Sequence, residues 1–294
     1  MSPETAEIIG RFLQDGAAIL LWGAWGFVAF LAPKRLGATL AMRLRTATLV
    51  SLATLTLAKL ALLPIKTAVI DGDWLSAVDT QTIQTVLLHT RVGEAWLVQA
   101  LALVPLVAIA CLSPKRRAPG LALASALFLA TLALSGHAAM NTGLAGLLHP
   151  ANHVLHLLSA GWWLGALYPV ILLLPRMQDA EHGTEARRAL MRFSTVGHIA
   201  VALTILTGAL NMQLILGGLP FDWSFPYQQA LSLKIALVGL MVVMALVNRY
   251  RFVPRLARKP EAATRALLRG SVAEILLGGL VLALVAWFGT LEPL

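Results

Sequence analysis

One stretch of the chain has the length and composition of a membrane-spanning helix. It runs from Ala151 to Leu174 and reads ANHVLHLLSAGWWLGALYPVILLL. It contains no Asp, Glu, Lys or Arg, and a helix needs roughly 20 predominantly apolar residues to cross the hydrocarbon core of a bilayer. This stretch therefore predicts a transmembrane helix.

Further apolar stretches of similar length lie on both sides of it. We predict eight transmembrane helices, near residues 8–32, 44–65, 83–112, 119–137, 151–174, 191–216, 229–250 and 267–289. The chain is 58% hydrophobic and 13% charged, with a mean hydropathy of +0.78, and these values exclude an ordinary soluble domain. We expect an all-α, polytopic helix bundle, a single transmembrane domain over residues 1–294 in contact with membrane lipid.

The basic residues are distributed unequally between the loops. A formal net charge of +9 would suggest nucleic-acid binding in a soluble protein. Here, however, 18 of the 23 Lys and Arg follow the first, third, fifth and seventh spans, and loops rich in Lys and Arg stay in the cytoplasm. We therefore expect no nucleic-acid partner, and we expect both termini on the periplasmic side.

Several ionisable side chains fall inside the predicted spans, where each is costly unless it is paired or hydrated. The acidic and histidine side chains among them are candidates for an ion relay: Asp15, His89, Glu94, His198 and Glu274. Taken singly, a histidine in a helix is more often a packing residue than a ligand. Lys59 and Lys234 lie within about two turns of the outer helix ends, so we expect their long side chains to reach the membrane surface.

The loop between the fourth and fifth spans is surrounded by potential metal ligands. They are His137, Met140, His149, His153 and His156. Pro150 is expected in the first turn of the fifth helix, which puts the last three histidines on one helix face. A short connection makes the fourth and fifth helices antiparallel neighbours, so the two groups should converge near the outer surface.

The side chains in this cluster suit copper, since imidazole and thioether both bind it, and imidazole also binds zinc, nickel or haem iron. We predict a metal site formed by His137, Met140, His153 and His156, with His149 as the weakest member of the group. The alternative is that the loop histidines are simply solvated and that His156 is a hydrogen-bonded core residue.

Short motifs occur in a fixed order along the chain from about residue 83 onward. Gly136-His137-Ala138 precedes HLLSAGWWLG, which runs from His156 to Gly165. Further motifs are Arg192-Phe193-Ser194, Thr207-Gly208, Tyr227, Lys234, Asn248-Arg249-Tyr250, Pro254-Arg255-Leu256, Glu274 and Gly289-Thr290-Leu291-Glu292-Pro293. Together they resemble the copper resistance protein D (CopD) family, whose His-Leu-Leu-x-x-x-x-Trp-x-Gly signature matches at His156, Trp163 and Gly165. We therefore count Trp163 among the supporting residues.

The resemblance implies copper binding at the periplasmic side and copper import across the bacterial inner membrane, as part of copper homeostasis and resistance. It also implies a separate periplasmic copper carrier of the CopC type. An ATP-driven pump is not expected, because the loops are short and no phosphate-binding Gly-Lys-Ser/Thr loop is present. The thioether of Met140 favours Cu(I), but imidazole accepts both oxidation states, so the oxidation state stays open.

Two other functions remain compatible with the sequence. Histidines on facing helices of a bundle can ligate haem, so the chain could be a b-type haem oxidoreductase with ligands drawn from His89, His137, His156 and His198. Alternatively, the protein could bind copper as an assembly partner without moving it. Haem bound in stoichiometric amount would favour the oxidoreductase. Copper accumulation in cells would favour a transporter over an assembly partner.

Overall fold

The structure, a computed structural model, describes residues 1–111, 114–136 and 143–293, with the side chains of 114–116 left undescribed. Within these ranges the chain is all-helical and has no strand. The helices are α1 (Pro3–Gly26), α2 (Lys34–Arg43), α3 (Arg45–Asp71), α4 (Thr80–His89), α5 (Arg91–Ala110), α6 (Pro114–Thr131), α7 (Gly143–Leu173), α8 (Gly183–Leu216), α9 (Pro226–Val247) and α10 (Pro260–Phe288).

Within the part of the chain that the structure describes, eight helical segments are long and apolar enough to cross a membrane, as predicted. They are Pro3–Leu31, Arg45–Asp71, Arg91–Ala110, Arg117–Leu134, Gly143–Gln178, Gly183–Leu216, Pro226–Ala257 and Pro260–Phe288. Large apolar side chains such as Leu57, Leu101, Leu206 and Leu276 are exposed on the outside of the bundle. Lipid covers such a surface, whereas a soluble monomer rarely exposes contiguous apolar surface on this scale.

The third predicted span, 83–112, is wrong as a continuous helix. The chain breaks at Thr90, whose backbone is extended and whose hydroxyl caps α5 by accepting a hydrogen bond from the Gly93 amide at 3.1 Å. A side chain at Gly93 would collide with the carbonyls of Val86 and Leu87, so the glycine permits the tight junction. His89 therefore ends the short helix α4 outside the candidate span, and it is exposed.

The fifth predicted span begins too late. Helix α7 starts at Gly143, so Pro150 lies inside the helix and not in its first turn. The missing proline N–H removes one backbone hydrogen bond at that point, but the helix continues through it. His149, His153 and His156 still share one helix face, because that spacing depends only on helical periodicity.

Helix α1 lies at the centre of the bundle, against α3, α6, α7 and α10. It crosses α7 at Gly23 and Gly165, where a Cβ on either residue would fall on the backbone of the other helix. The Trp22 indole N–H donates to the Leu158 carbonyl of α7 at 2.8 Å. Small residues allow this close approach, as in other membrane helix pairs.

The two ends of the bundle differ in composition. We call the end that holds Pro3 and Phe288 the terminal end, and the opposite end, with the loops rich in Lys and Arg, the basic end. Because the eight spans alternate in direction, α7 begins at the terminal end and α8 ends there. These two helices are packed along their length and position most of the candidate site.

Candidate metal site

A cavity of about 430 Å³, which we call the terminal cavity, opens at the terminal end of the bundle. Its wall includes residues from α1, α3, α5, α7, α9 and α10 and from the end of the fourth span. The charged and polar side chains that line it are Arg11, Gln14, Asp15, Lys59, Lys66, Arg91, Gln99, Ser135, His153, His156 and Lys234. The cavity therefore brings together residues that are far apart in the sequence.

The hydrogen bonds of His156 fix which ring nitrogen carries the proton. Its Nδ1 lies 3.0 Å from the hydroxyl of Thr207, and that hydroxyl lies 2.5 Å from the Leu203 carbonyl, to which it donates. The hydroxyl hydrogen is thus engaged, so Thr207 accepts from Nδ1–H. In the neutral ring the other nitrogen, Nε2, then keeps its lone pair, which is the form that binds a metal.

The hydrogen bonds of His153 give it the opposite arrangement. Asn152 donates to the Thr207 carbonyl at 2.9 Å and to Oδ1 of Asn211 at 2.8 Å. The amide nitrogen of Asn211 therefore points to Nδ1 of His153, at 3.2 Å, and donates to it. An Nδ1 that accepts leaves Nε2 protonated in the neutral ring, so His153 carries an N–H at Nε2, whereas His156 carries a lone pair there.

The two rings lie together on α7. Their centroids are 6.2 Å apart and their planes differ by 14°. His149, on the same face, is buried in α7 and does not line the cavity. His137 and Met140 lie outside the described residues, but Ser135 and Gly136, which lead into them, line the cavity.

Lys59 does not reach the membrane surface, so that prediction is wrong. The side chain is 3% exposed and donates a hydrogen bond to Oε1 of Gln99. The Trp96 indole, whose N–H donates to the Lys59 carbonyl at 2.8 Å, lies beside the ammonium group. Asp15 lines the same cavity, and the two charges interact without an ion pair within 4.0 Å.

Two other predicted relay residues lie away from this cavity. Glu94 is in the first turn of α5 and is exposed, and His89 is exposed at the end of α4. Neither is among the residues that line either cavity described here. The structure therefore does not bring them together with His156.

Trp163, His198 and Glu274 line a second cavity, of about 230 Å³, which lies between α7, α8, α9 and α10. We call it the basic-side cavity, since it extends to Arg249 and Val253 near the basic end. Glu274 is 2% exposed. Its carboxylate accepts hydrogen bonds from the Trp163 indole at 3.3 Å and from the Asn248 amide at 2.8 Å.

The described residues contain no group of three or more His, Cys, Asp or Glu that could hold a metal ion. This finding does not extend to His137 and Met140. Among the described residues, the terminal cavity thus offers one imidazole with an available Nε2 lone pair, that of His156.

Two family domains match most of the chain. The profile described as "Copper resistance protein D-like, N-terminal domain" matches residues 2–147, and "Copper resistance protein D" matches residues 187–288. Copper resistance protein D from Pseudomonas syringae pv. tomato is 32% identical over 76% of this chain and 74% of its own length. The chain belongs to the copper resistance protein D family. The resemblance inferred from the motifs is thereby confirmed.

Other similar proteins agree with this family. Inner membrane protein YebZ of Escherichia coli (strain K12) is 34% identical over 96% of this chain and 97% of its own length. Copper transport protein CutJ of Bacillus subtilis (strain 168) is 32% identical over 67% of this chain, which spans only 38% of CutJ. With its eight apolar helices, this CopD family member is a multi-pass protein of the inner membrane.

A solved structure has the same overall fold. The bd oxidase from Geobacillus thermodenitrificans matches with a TM-score of 0.55 over 99% of this chain and 87% of the oxidase chain, at 10% sequence identity. At that identity the likeness concerns the fold alone.

Sequence reasoning missed the polar network that orients the histidines. Asn152, Thr207 and Asn211 lie within apolar spans, where polar side chains usually bond across helices. That enrichment of amides and hydroxyls near His153 and His156 was a usable signal. The pairing of these side chains is not evident from the sequence, because Asn152 and Asn211 are 59 residues apart.

Proposed function

We propose that this CopD family member binds Cu(I) in the terminal cavity and passes it across the inner membrane into the cell. The observation that carries the proposal is the orientation of His156, whose Nε2 lone pair is left available in a membrane-embedded cavity. Thr207 sets that orientation through Nδ1 at 3.0 Å. Copper handling as such follows from the family domains.

The proposed ligands are His156, His137 and Met140, with His153 in support. Ser135 and Gly136, which directly precede His137 in the sequence, line the cavity. Two imidazoles and a thioether make a soft, low-coordinate site of the kind that suits Cu(I). His153, as an Nε2–H donor, would support the site and would not ligate the ion.

The charges around the terminal cavity favour a monovalent ion. Five basic side chains line it, namely Arg11, Lys59, Lys66, Arg91 and Lys234, against one acidic side chain, Asp15. The carboxylate of Glu7, which does not line the cavity, pairs with Lys66 and Arg11, so an excess of basic side chains remains. The Coulomb energy scales with the charge of the ion, so Cu(II) would meet about twice the electrostatic repulsion that Cu(I) meets. This argument favours Cu(I) over Cu(II), between which the sequence alone does not choose.

The proposed direction requires the terminal end to face the periplasm. The charge bias supports this orientation, since the basic loops belong to the cytoplasmic side by the positive-inside rule. A separate copper carrier of the CopC type would then deliver the ion at the terminal cavity. Movement would follow the copper gradient or be coupled to another ion.

The haem alternative receives less support from the described residues. Haem held by two histidines needs rings on facing helices in one cavity. His153 and His156 lie on the same helix, His198 lines the other cavity, and His89 lines neither. No pair of described histidines thus faces one another across a single cavity.

Copper accumulation in cells tests the proposed function. We expect cells that express the wild type to accumulate more copper than cells without the protein, and His156→Ala and His137→Ala to abolish the increase. His89→Ala is the matched control, since this histidine is exposed outside the spans. Accumulation equal to the wild type in both site variants would refute the proposal, as would a haem absorption band stoichiometric with protein.

A further inference from the structure

The basic-side cavity is lined by His198, whose Nε2 carries a lone pair for the same reason as Nε2 of His156. Nδ1 of His198 lies 2.6 Å from the Ser194 carbonyl, one turn earlier on α8. A carbonyl can only accept, so Nδ1 carries the proton and Nε2 keeps its lone pair. Metal-binding histidines commonly donate their other N–H to a backbone carbonyl in this way.

The lone-pair nitrogen of His198 is buried and unsatisfied among the described residues. Its Nε2 has no hydrogen-bond partner there and almost no solvent contact. The ring packs edge-on against Tyr250, with centroids 5.8 Å apart. Buried polar atoms are usually satisfied, and an exception calls for an explanation such as an absent ion.

The same cavity holds a buried carboxylate without a cationic partner. Glu274 accepts two neutral hydrogen bonds, from Trp163 and Asn248, but no Lys, Arg or His nitrogen of the described residues lies within 4.0 Å of it. Arg249 lines the cavity as well, yet it forms no such ion pair. A carboxylate buried in an apolar wall is stabilised by a bound cation.

Helix α7 contributes residues to both cavities, and α8 packs along it. On α7, His156 and Trp163 are seven residues apart, which is two turns and the same helix face. On α8, Thr207 and His198 are nine residues apart, or about 14 Å along the axis at about 1.5 Å per residue. Between them, the hydroxyls of Thr204 and Ser159 lie 3.2 Å apart, so the intervening helix contact is polar.

We infer that Nε2 of His198 and the carboxylate of Glu274 form a second binding site for the Cu(I) ion, a transit site on the way from the terminal cavity to the basic end. The inference rests on the proposed function, since it takes its ion from the terminal site. One nitrogen and one oxygen ligand suit a weakly held ion that must leave again. The π-helical turn Asn248–Phe252 at the end of α9 borders the site. Such turns occur often at functional sites.

Copper stoichiometry tests the second site. Purified protein in lipid nanodiscs would be equilibrated with Cu(I) under anaerobic conditions against a colorimetric Cu(I) chelator. We expect two ions per wild-type chain and one ion for each of His156→Ala, His198→Ala and Glu274→Gln. His156→Ala combined with Glu274→Gln should bind none. Glu94→Gln is the matched control, because Glu94 is exposed in the first turn of α5.

The outcomes separate the two proposals. A wild type that binds no Cu(I) refutes the proposed function. A wild type whose binding is lost in His156→Ala but unchanged in His198→Ala and Glu274→Gln overturns the second site and leaves the first intact. Thermal unfolding in the same nanodiscs identifies any variant that fails to fold, and His198→Gln then replaces His198→Ala.

Discussion

The hydroxyl of Thr207 lies 3.0 Å from Nδ1 of His156 and is held there by its own hydrogen bond to the Leu203 carbonyl. This contact joins α8 to α7 at the terminal cavity. It determines the protonation of the imidazole and hence the nitrogen that is available to a metal ion. The function proposed for the protein depends on it.

Thr207→Val should weaken Cu(I) binding at the terminal cavity. Valine has nearly the shape of threonine but cannot accept the Nδ1 proton, so the ring loses its fixed orientation. Loss of such a supporting hydrogen bond typically lowers metal affinity by about 10–100-fold. Competition with a Cu(I) chelator measures the change. Thr195→Val is the control, since the Thr195 hydroxyl bonds only its own helix, at Met191, on an exposed face.

Gly208→Ala should also weaken binding, although alanine favours the helix by about 1 kcal/mol. A Cβ at residue 208 would lie 3.2 Å from Cε1 of His156, which is closer than an ordinary contact. The ring must shift away from Thr207. Gly239→Ala on α9 meets nothing within 4 Å and should leave binding unchanged. Equal affinity in the two variants would show that the space at Gly208 is not required.

The sequence predicts the helices well where hydropathy alone defines them, and less well where local hydrogen bonds intervene. Hydropathy does not reveal the break at Thr90, because apolar residues lie on both sides of it: Val86 and Leu87 before it and Val92 after it. The position of Lys59 near the outer end of its helix predicts a side chain that reaches the surface, but its hydrogen-bond partner, Gln99, lies 40 residues away on another helix and is not evident from the sequence. The candidate site can be predicted only in part. The sequence identifies His156, but Thr207 and Asn211 come close to the histidines only in the folded bundle.

Asp79 should control the start of α4. The hydroxyl of Thr82, together with its amide, holds the pKa of Asp79 below the usual value. Because this pKa is lower when folded than when unfolded, the stabilisation is present at neutral pH and is lost as pH falls through the lowered value. Asp79→Ala should speed amide exchange at residues 81–84 at neutral pH, measured by hydrogen–deuterium exchange. Gln84→Ala, at an exposed position of the same helix, should not change it.

Labelling of the single cysteine tests the orientation. Cys111 is exposed and follows α5 at the basic end, so we expect it in the cytoplasm. A membrane-impermeant maleimide should label it in inverted vesicles but not in intact spheroplasts. Cys111→Ala combined with Ser224→Cys, in the exposed loop at the terminal end, should show the reverse pattern. Labelling of Cys111 in intact spheroplasts would place the terminal cavity on the cytoplasmic side.

The central claim is that His156 ligates copper while His153 supports the site without ligating. Cu(I) affinity at the terminal cavity, measured for His156→Ala and His153→Ala in a Glu274→Gln background, tests it most directly. We predict that His156→Ala lowers the Cu(I) affinity by more than about 100-fold, which exceeds the effect of losing a supporting group. We predict that His153→Ala lowers the affinity by less than about 10-fold. Equal losses, or a larger loss for His153→Ala, would contradict the assignment of the two rings.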